Sequence, residues 1–188
     1  MNEMVINNTG AAMSVADATS QVQQIQQLMA SVMKVGEHFG TIPGCGNKPT
    51  LLQPGAQKLA LMFGFAPKYE IDKTCYGDMG DGHREYEVTC EIVSRTTGDL
   101  IGQGVGVCST MEGKFRYRSE NTGSAVPSDY WDTKDESILG GSDFHPRKVS
   151  GKWMVFHRVE HANPADYYNT VKKMAKKRAF VDAVLTAT

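Results

Sequence analysis

The C-terminal quarter of the chain holds the residues best suited to bind an anion. Residues 141–188 contain 9 Lys and Arg against 4 Asp and Glu, whereas residues 1–140 contain 11 against 17. Like charges four residues apart oppose helix formation, so a lysine-rich helix indicates a polyanionic partner such as nucleic acid. An ordinary solvated helix face is the alternative. The helix lysines are Lys172, Lys173, Lys176 and Lys177.

A second cationic row precedes a Ser-, Gly- and Asp-rich segment. Residues 111–118 alternate and predict a strand, with Phe115 and Tyr117 on one side. Basic strands beside a basic helix make a groove that follows a nucleic-acid backbone, and aromatic rings there can stack on bases. Ordinary core packing is the alternative for both rings. The cations on the other side are Lys114, Arg116 and Arg118.

Residues that favour catalysis are few. Glu85, Glu87 and Glu91 share a strand face with His83, and carboxylates placed so could bind Mg²⁺ in a metal-dependent nuclease. Any solvent-facing strand shows the same spacing. Signatures of serine hydrolases, zinc proteases and kinases are absent from the sequence. The sequence therefore predicts a protein that is not an enzyme, with no catalytic residue and no cofactor.

Two long helices are predicted at the ends of the chain. Ser14 is expected to cap the first, whose heptad-like apolar stripe runs from Val15 to Val32 and docks on the domain or on a second subunit. Asn163 is expected to cap the last, with Pro164 at its first position. Arg178 falls inside the predicted apolar face of that helix and should be partly buried. That face comprises Tyr167, Val171, Met174, Val181 and Leu185.

Between these helices the apolar period changes to two. Strands are predicted over residues 68–75, 83–94 and 100–109, and the order of elements indicates an α+β fold with an antiparallel β-meander packed on the long C-terminal helix. Gly102, Gly104 and Gly106 alternate within one strand and leave a sheet face open to a closely packed helix.

Composition sets the remaining organisation. The 188 residues suit one domain over 14–188, with a disordered stretch at 1–13 and an insertion loop at 119–151. Four cysteines without a C-x-x-C pair, no signal-like N-terminus and no apolar run of spanning length predict a reduced, cytoplasmic protein without a membrane partner.

Several segments resemble a group of phage-borne single-strand annealing proteins, related in fold to the eukaryotic annealing mediator of recombination. The resemblance covers about half of the chain, mainly residues 36–65, 83–118 and 163–188. It is carried by GEHFGTIPG (36–44), KPTLLQPGAQKL (48–59), GVG (104–106), STME (109–112), Tyr117-Arg118, KMAKKRA (173–179) and DAVLTAT (182–188).

The resemblance implies a β-β-β-α core that assembles into rings or filaments in the cytoplasm of a bacterial host. It implies ATP-independent annealing in DNA recombination and repair, and a phage exonuclease or host single-strand-binding protein as a further partner. Similar proteins carry a cysteine-rich insertion where residues 119–150 of this chain hold no cysteine, so no structural zinc is expected. Single-stranded DNA would lie between sheet and helix on Lys114, Arg116, Arg118, Lys172, Lys173, Lys176, Lys177 and Arg178. An adaptor without a nucleic-acid partner is a further alternative.

Overall fold

The structure is a computed structural model that describes residues 14–42, 46–75 and 82–188. The disorder predicted for residues 1–13 lies outside the described residues. As predicted, the fold is α+β, with antiparallel sheets and a long C-terminal helix packed on strands. The helices are α1 (Val15–Val32), α2 (Gln53–Met62), α3 (Gly113–Arg116), α4 (Ser128–Thr133) and α5 (Tyr168–Ala187). The strands are β1 (Phe39–Gly40), β2 (Thr50–Leu51), β3 (Phe65–Cys75), β4 (Arg84–Ser94), β5 (Leu100–Ser109), β6 (Tyr117–Ala125), β7 (Phe144–Val149) and β8 (Lys152–Glu160).

Two compact units make up the chain, each from separate segments. One comprises the described parts of residues 1–71, 88–106 and 175–188, and the other those of 72–87 and 107–174. No helix of the described residues has both the length and the apolar character to cross a membrane.

The first unit contains most of the three-stranded sheet β3-β4-β5, in which strands consecutive in the chain are neighbours. A tight turn joins β4 to β5, where the Ser94 amide donates to the Asp99 carbonyl over 2.9 Å. The predicted inward face of β4 is confirmed, since alternate side chains there are buried. Its buried residues are Tyr86, Val88, Cys90 and Ile92.

The second unit contains the sheet β6-β8-β7, which corrects the predicted insertion loop over residues 119–151. β7 and β8 form a hairpin whose turn places Ser150 and Gly151 at φ of 48° and 83°. Two consecutive residues with positive φ are typical of the turn that matches strand twist in a short hairpin. The Ser, Gly and Asp content that predicted a loop therefore belongs to turns and to an exposed strand.

The ends of the helices follow their predicted caps. The Ser14 hydroxyl accepts from the Asp17 amide at the start of α1. The Asn163 side chain accepts from the Ala165 amide at the start of a 3₁₀ turn, Pro164–Tyr167, that leads into α5. Part of the apolar stripe of α1 does not dock on the described residues of its own chain, because Val15 is 84 % exposed and Val22 52 % exposed. Docking on a second subunit stays a prediction.

Candidate nucleic-acid interface

Helix α5 lies directly on strand β5, and the glycines of that strand make the approach possible. A Cβ atom built on Gly104 would lie 2.1 Å from the Ala183 nitrogen, and one on Gly106 would lie 2.3 Å from the Ala179 nitrogen. Real Cβ atoms essentially never come within 3.0 Å of such atoms. The predicted use of the alternating glycines, close approach by a helix, is therefore confirmed.

The spacing of small residues on the two elements matches. Gly102 faces Ala187, Gly104 faces Ala183 and Gly106 faces Ala179, so a step of two along β5 meets a step of four back along α5. Two strand residues span about 6.6 Å and four helix residues about 6.0 Å. The antiparallel match extends over three contacts, and the Asp182 carboxylate accepts from the Val105 amide at 2.9 Å beside them.

This contact corrects the predicted apolar face of α5 at two positions, while Val171 is buried as predicted and Tyr167, Met174 and Val181 are half-buried. The buried side chains are mainly small, while Leu185 is 53 % exposed and Arg178 is also exposed rather than partly buried. Apolar periodicity predicted that the large apolar residues of α5 are buried. Because the helix packs on the glycines of β5, its alanines are buried there instead. The buried residues of α5 are Val171, Ala175, Ala179, Phe180, Ala183 and Val184.

The four lysines occupy two adjacent rows of the helix surface. Lys172 and Lys176 are four residues apart in one row, and Lys173 and Lys177 in the next. Lys172, Lys173 and Lys177 are exposed, and Lys176 is half-buried. None of the four ammonium groups forms an ion pair with a residue that the structure describes. They are concentrated in the first half of α5.

Lys176 is held over an aromatic ring of the neighbouring sheet. Its Nζ lies 4.1 Å from the centre of the Tyr69 ring, a cation–π contact. Tyr69 in turn hydrogen-bonds Cys90, and burial raises the pKa of the Tyr69 hydroxyl to about 12. The Lys176 stem therefore packs on the sheet while Tyr69 keeps 37 % of its surface exposed.

Burial of the Cys90 thiol predicts that it is unreactive in the folded protein. Its side chain is fully buried, and desolvation raises its pKa to about 11. Because the thiolate is the reactive form, we expect Cys90 to resist iodoacetamide at mildly alkaline pH in the native protein. Peptide mapping should find it alkylated only after urea treatment. Alkylation at equal rates with and without urea would contradict its burial.

Two of the three cations predicted on a strand lie elsewhere, and all three already have carboxylate partners. Lys114 and Arg116 belong to the single turn α3, and only Arg118 lies on a strand, β6. The residues between Glu112 and Tyr117 turn helically because the amides of Phe115 and Arg116 both donate to the Glu112 carbonyl. The predicted strand over 111–118 is therefore wrong for residues 111–116, and its last two residues lie in β6.

Each of these cations contacts a carboxylate of the second unit. Lys114 Nζ lies 3.3 Å from Glu112, Arg116 Nε lies 2.7 Å from Glu160, and Arg118 lies 2.7 Å from Glu120. The hydrogen bond from Arg116 lowers the pKa of Glu160 below its usual value. These cations reach a phosphate only by sharing or exchanging a carboxylate partner, unlike the lysines of α5.

The carboxylates considered for metal binding do not form a ligand cluster. Glu85, Glu87 and Glu91 alternate along β4, and across residues 14–42, 46–75 and 82–188 no group of three His, Cys, Asp or Glu could hold a metal ion. His83 precedes the strand and is buried, with Nδ1 2.9 Å from the Thr110 hydroxyl. Its expected place on the carboxylate face is therefore wrong.

Three basic or aromatic residues near the candidate surfaces were not predicted from the sequence. Tyr69 was hidden in a strand for which no inward face was assigned, and Arg147 and Arg158 lie on β7 and β8, around a segment expected to be a loop. The Ser150-Gly151 pair between alternating apolar and basic residues is a hairpin signal that would have found the latter two.

The comparisons with other proteins do not assign this chain to a family. No protein-family model, no curated protein and no solved structure matches it.

Proposed function

We propose that this protein binds single-stranded DNA and promotes annealing of complementary strands without ATP. The observation that carries the proposal is the array of lysines on α5, namely Lys172, Lys173, Lys176 and Lys177. They form two adjacent rows with no carboxylate partner among the described residues. Such an array repels itself until an anion neutralises it, and a nucleic-acid backbone supplies phosphates at regular intervals.

The packing of α5 supports this function because it fixes the lysine rows. The alanine–glycine contacts bring the helix backbone against β5, and Lys176 is also held over Tyr69. A rigid cationic surface loses little conformational entropy on binding, which favours affinity.

The mechanism that follows uses charge and not covalent chemistry. The lysines neutralise phosphates and hold the backbone of one strand extended, so its base edges stay available to a second strand. Neutralisation also reduces the repulsion between the two backbones.

An annealing assay tests the proposal directly. Two complementary oligonucleotides, one with a fluorophore and one with a quencher, are mixed with protein in EDTA and without ATP. We expect annealing to be faster with protein than without, and anisotropy to show tighter binding to single strands than to duplex. Absence of both effects at low salt would exclude the proposed function, and cleavage on addition of Mg²⁺ would favour a nuclease.

Self-association is expected through α1. Its apolar stripe is exposed at Val15, Val22, Met29 and Val32, and a heptad-like stripe suits packing against a second copy. Sedimentation velocity should show assemblies larger than a monomer, and Val22→Glu with Met29→Glu should shift them toward the monomer. Monomers at all concentrations, with and without DNA, would contradict this prediction.

A further inference from the structure

One face of the sheet β6-β8-β7 alternates aromatic rings with cations. Strand pairing places Tyr117 opposite Glu160, and His145 opposite Phe156. Because side chains alternate along a strand, Phe156, Arg158 and Glu160 of the central strand share a side. The hydrogen-bond contact between Ser119 and His145, 3.2 Å across the sheet, lies on the same side. We call this side the arginine face: Tyr117, His145, Arg147, Lys152, Phe156 and Arg158.

Each arginine of this face lies over a ring. The Arg158 guanidinium carbon is 3.9 Å from the centre of the Tyr117 ring, and that of Arg147 is 5.4 Å from the centre of the Phe156 ring. Phe156 is buried, whereas both arginines are exposed. Each guanidinium therefore lies near a ring and remains accessible to solvent.

The charge of this face is not balanced by carboxylates. Arg147, Lys152 and Arg158 form no ion pair with the described part of the chain, and Glu160 is bound by Arg116. On the opposite side of the same sheet, Arg118 is paired with Glu120, whereas Lys148 forms no ion pair with a described residue. An arginine face maintained only to hold the sheet together would gain more from neighbouring carboxylates than from three uncompensated cations.

We infer that the arginine face is a second contact for single-stranded DNA, which binds phosphates through Arg147, Lys152 and Arg158 and stacks bases on the guanidinium planes. Arginine suits both tasks, because it is planar, permanently charged and able to contact a phosphate with two N–H groups. Unpaired bases stack on guanidinium planes as well as on aromatic rings. The inference rests on the proposed function and adds a surface outside α5.

The cation–π contacts of its arginines distinguish the arginine face from a row of surface lysines. A ring beneath each guanidinium limits its rotation, so less entropy is lost when DNA binds. Cation–π contact and base stacking occupy opposite sides of the same plane, so both can persist in the complex. Duplex DNA offers no exposed base plane along its length, and the face should therefore favour single strands.

The test measures binding of a fluorescein-labelled oligo-dT by anisotropy at several salt concentrations. For Arg147→Gln with Arg158→Gln, we expect affinity to fall about tenfold, equal to about 1.4 kcal/mol. Loss of two phosphate contacts should reduce the slope of log K against log salt by about 1.4, at about 0.7 per contact. Lys134→Gln with Lys148→Gln is the matched control, because Lys148 pairs with Trp153 and Lys134 lies over Trp131 on the opposite side.

Three outcomes decide between the possibilities. A fall confined to the arginine pair, with an unchanged melting temperature, supports the inference. Equal affinities for both double variants and the unaltered protein overturn it, and so does an equal fall in both, which indicates general electrostatics. If the arginine pair is not folded, Val149→Glu, which adds a negative charge beside Lys152, replaces it and should weaken binding.

The design also separates this inference from the proposed function. The same anisotropy measurement is made in parallel on a variant in which the α5 lysines are substituted. Binding that depends on α5 but not on Arg147 and Arg158 leaves the proposed function in place and removes the second contact. An unaltered protein that binds no oligonucleotide at low salt removes both.

Discussion

Substitution of Gly104 or Gly106 by alanine is expected to unfold or severely loosen the first unit. The added Cβ would lie 2.1 Å from backbone at Gly104 and 2.3 Å from backbone at Gly106. Backbone cannot rotate away as a side chain can, so α5 must move off β5. Overpacking usually costs about 1–3 kcal/mol, and we expect about 3 kcal/mol or more here because a whole helix shifts. Urea denaturation followed by circular dichroism measures it.

Gly102 supplies the matched control within the same strand. A Cβ there would come no closer than 3.0 Å, and its nearest neighbour is the Ala187 side chain at the end of α5. Gly102→Ala should therefore be tolerated with a loss of about 1 kcal/mol or less, since a helix end can adjust. An equal loss of stability for Gly102→Ala and Gly104→Ala would contradict a closer approach of α5 to Gly104 than to Gly102.

The strands of the first unit were predictable, and the buried face of α5 was not. Alternation of apolar residues predicted β4 nearly to the residue, because one face of the strand is buried, and the tight turn that follows it predicted β5 as the return strand. Helical periodicity, in contrast, predicted Leu185 and Arg178 on the inner side of α5. Hydrophobicity alone ranks alanine below leucine, yet a sheet that presents glycines accepts only small side chains.

The second unit shows a different limit of sequence analysis. Residues 119–125 form an exposed strand, so they lack the buried alternate positions from which a strand is recognised. β6 is specified by pairing with β8, a contact between residues 29 to 43 positions apart, from Ala125 with Met154 to Tyr117 with Glu160. Strand pairing over that distance leaves no local pattern, so a polar composition was interpreted as a loop.

The candidate binding residues also include features that the sequence predicts and features that it does not. The lysines of α5 were found because they are close in sequence and a helix makes them neighbours. The carboxylate partners of the other candidate cations were not predictable, because ion pairs such as Arg116 with Glu160 join residues far apart in the chain. Sequence can therefore indicate where cations cluster, but only the fold shows which of them are already neutralised.

Replacement of Lys172, Lys173, Lys176 and Lys177 by alanine together is expected to abolish most binding of single-stranded DNA. Net hydrogen bonds to charged groups contribute about 1.5–3 kcal/mol each, so loss of even two contacts lowers affinity about 100-fold or more. The salt slope should fall by about 2.8 if all four bind phosphates, at about 0.7 per contact. Oligo-dT anisotropy across a salt series gives both quantities. The loss should be similar for different base sequences, because phosphate contacts carry no sequence information.

Single substitutions separate the two roles that the structure gives these lysines. Lys172, Lys173 and Lys177 are exposed, so alanine there should change the free energy of unfolding by no more than about 0.5 kcal/mol. Lys176 also covers the Tyr69 ring, and Lys176→Ala should lower stability by about 0.5–1 kcal/mol through the lost cation–π contact. Lys176→Arg should restore stability and much of the DNA binding, since it keeps a cation over the ring. A folded quadruple variant with unchanged affinity for single strands would show that this side of α5 is only a solvated helix surface.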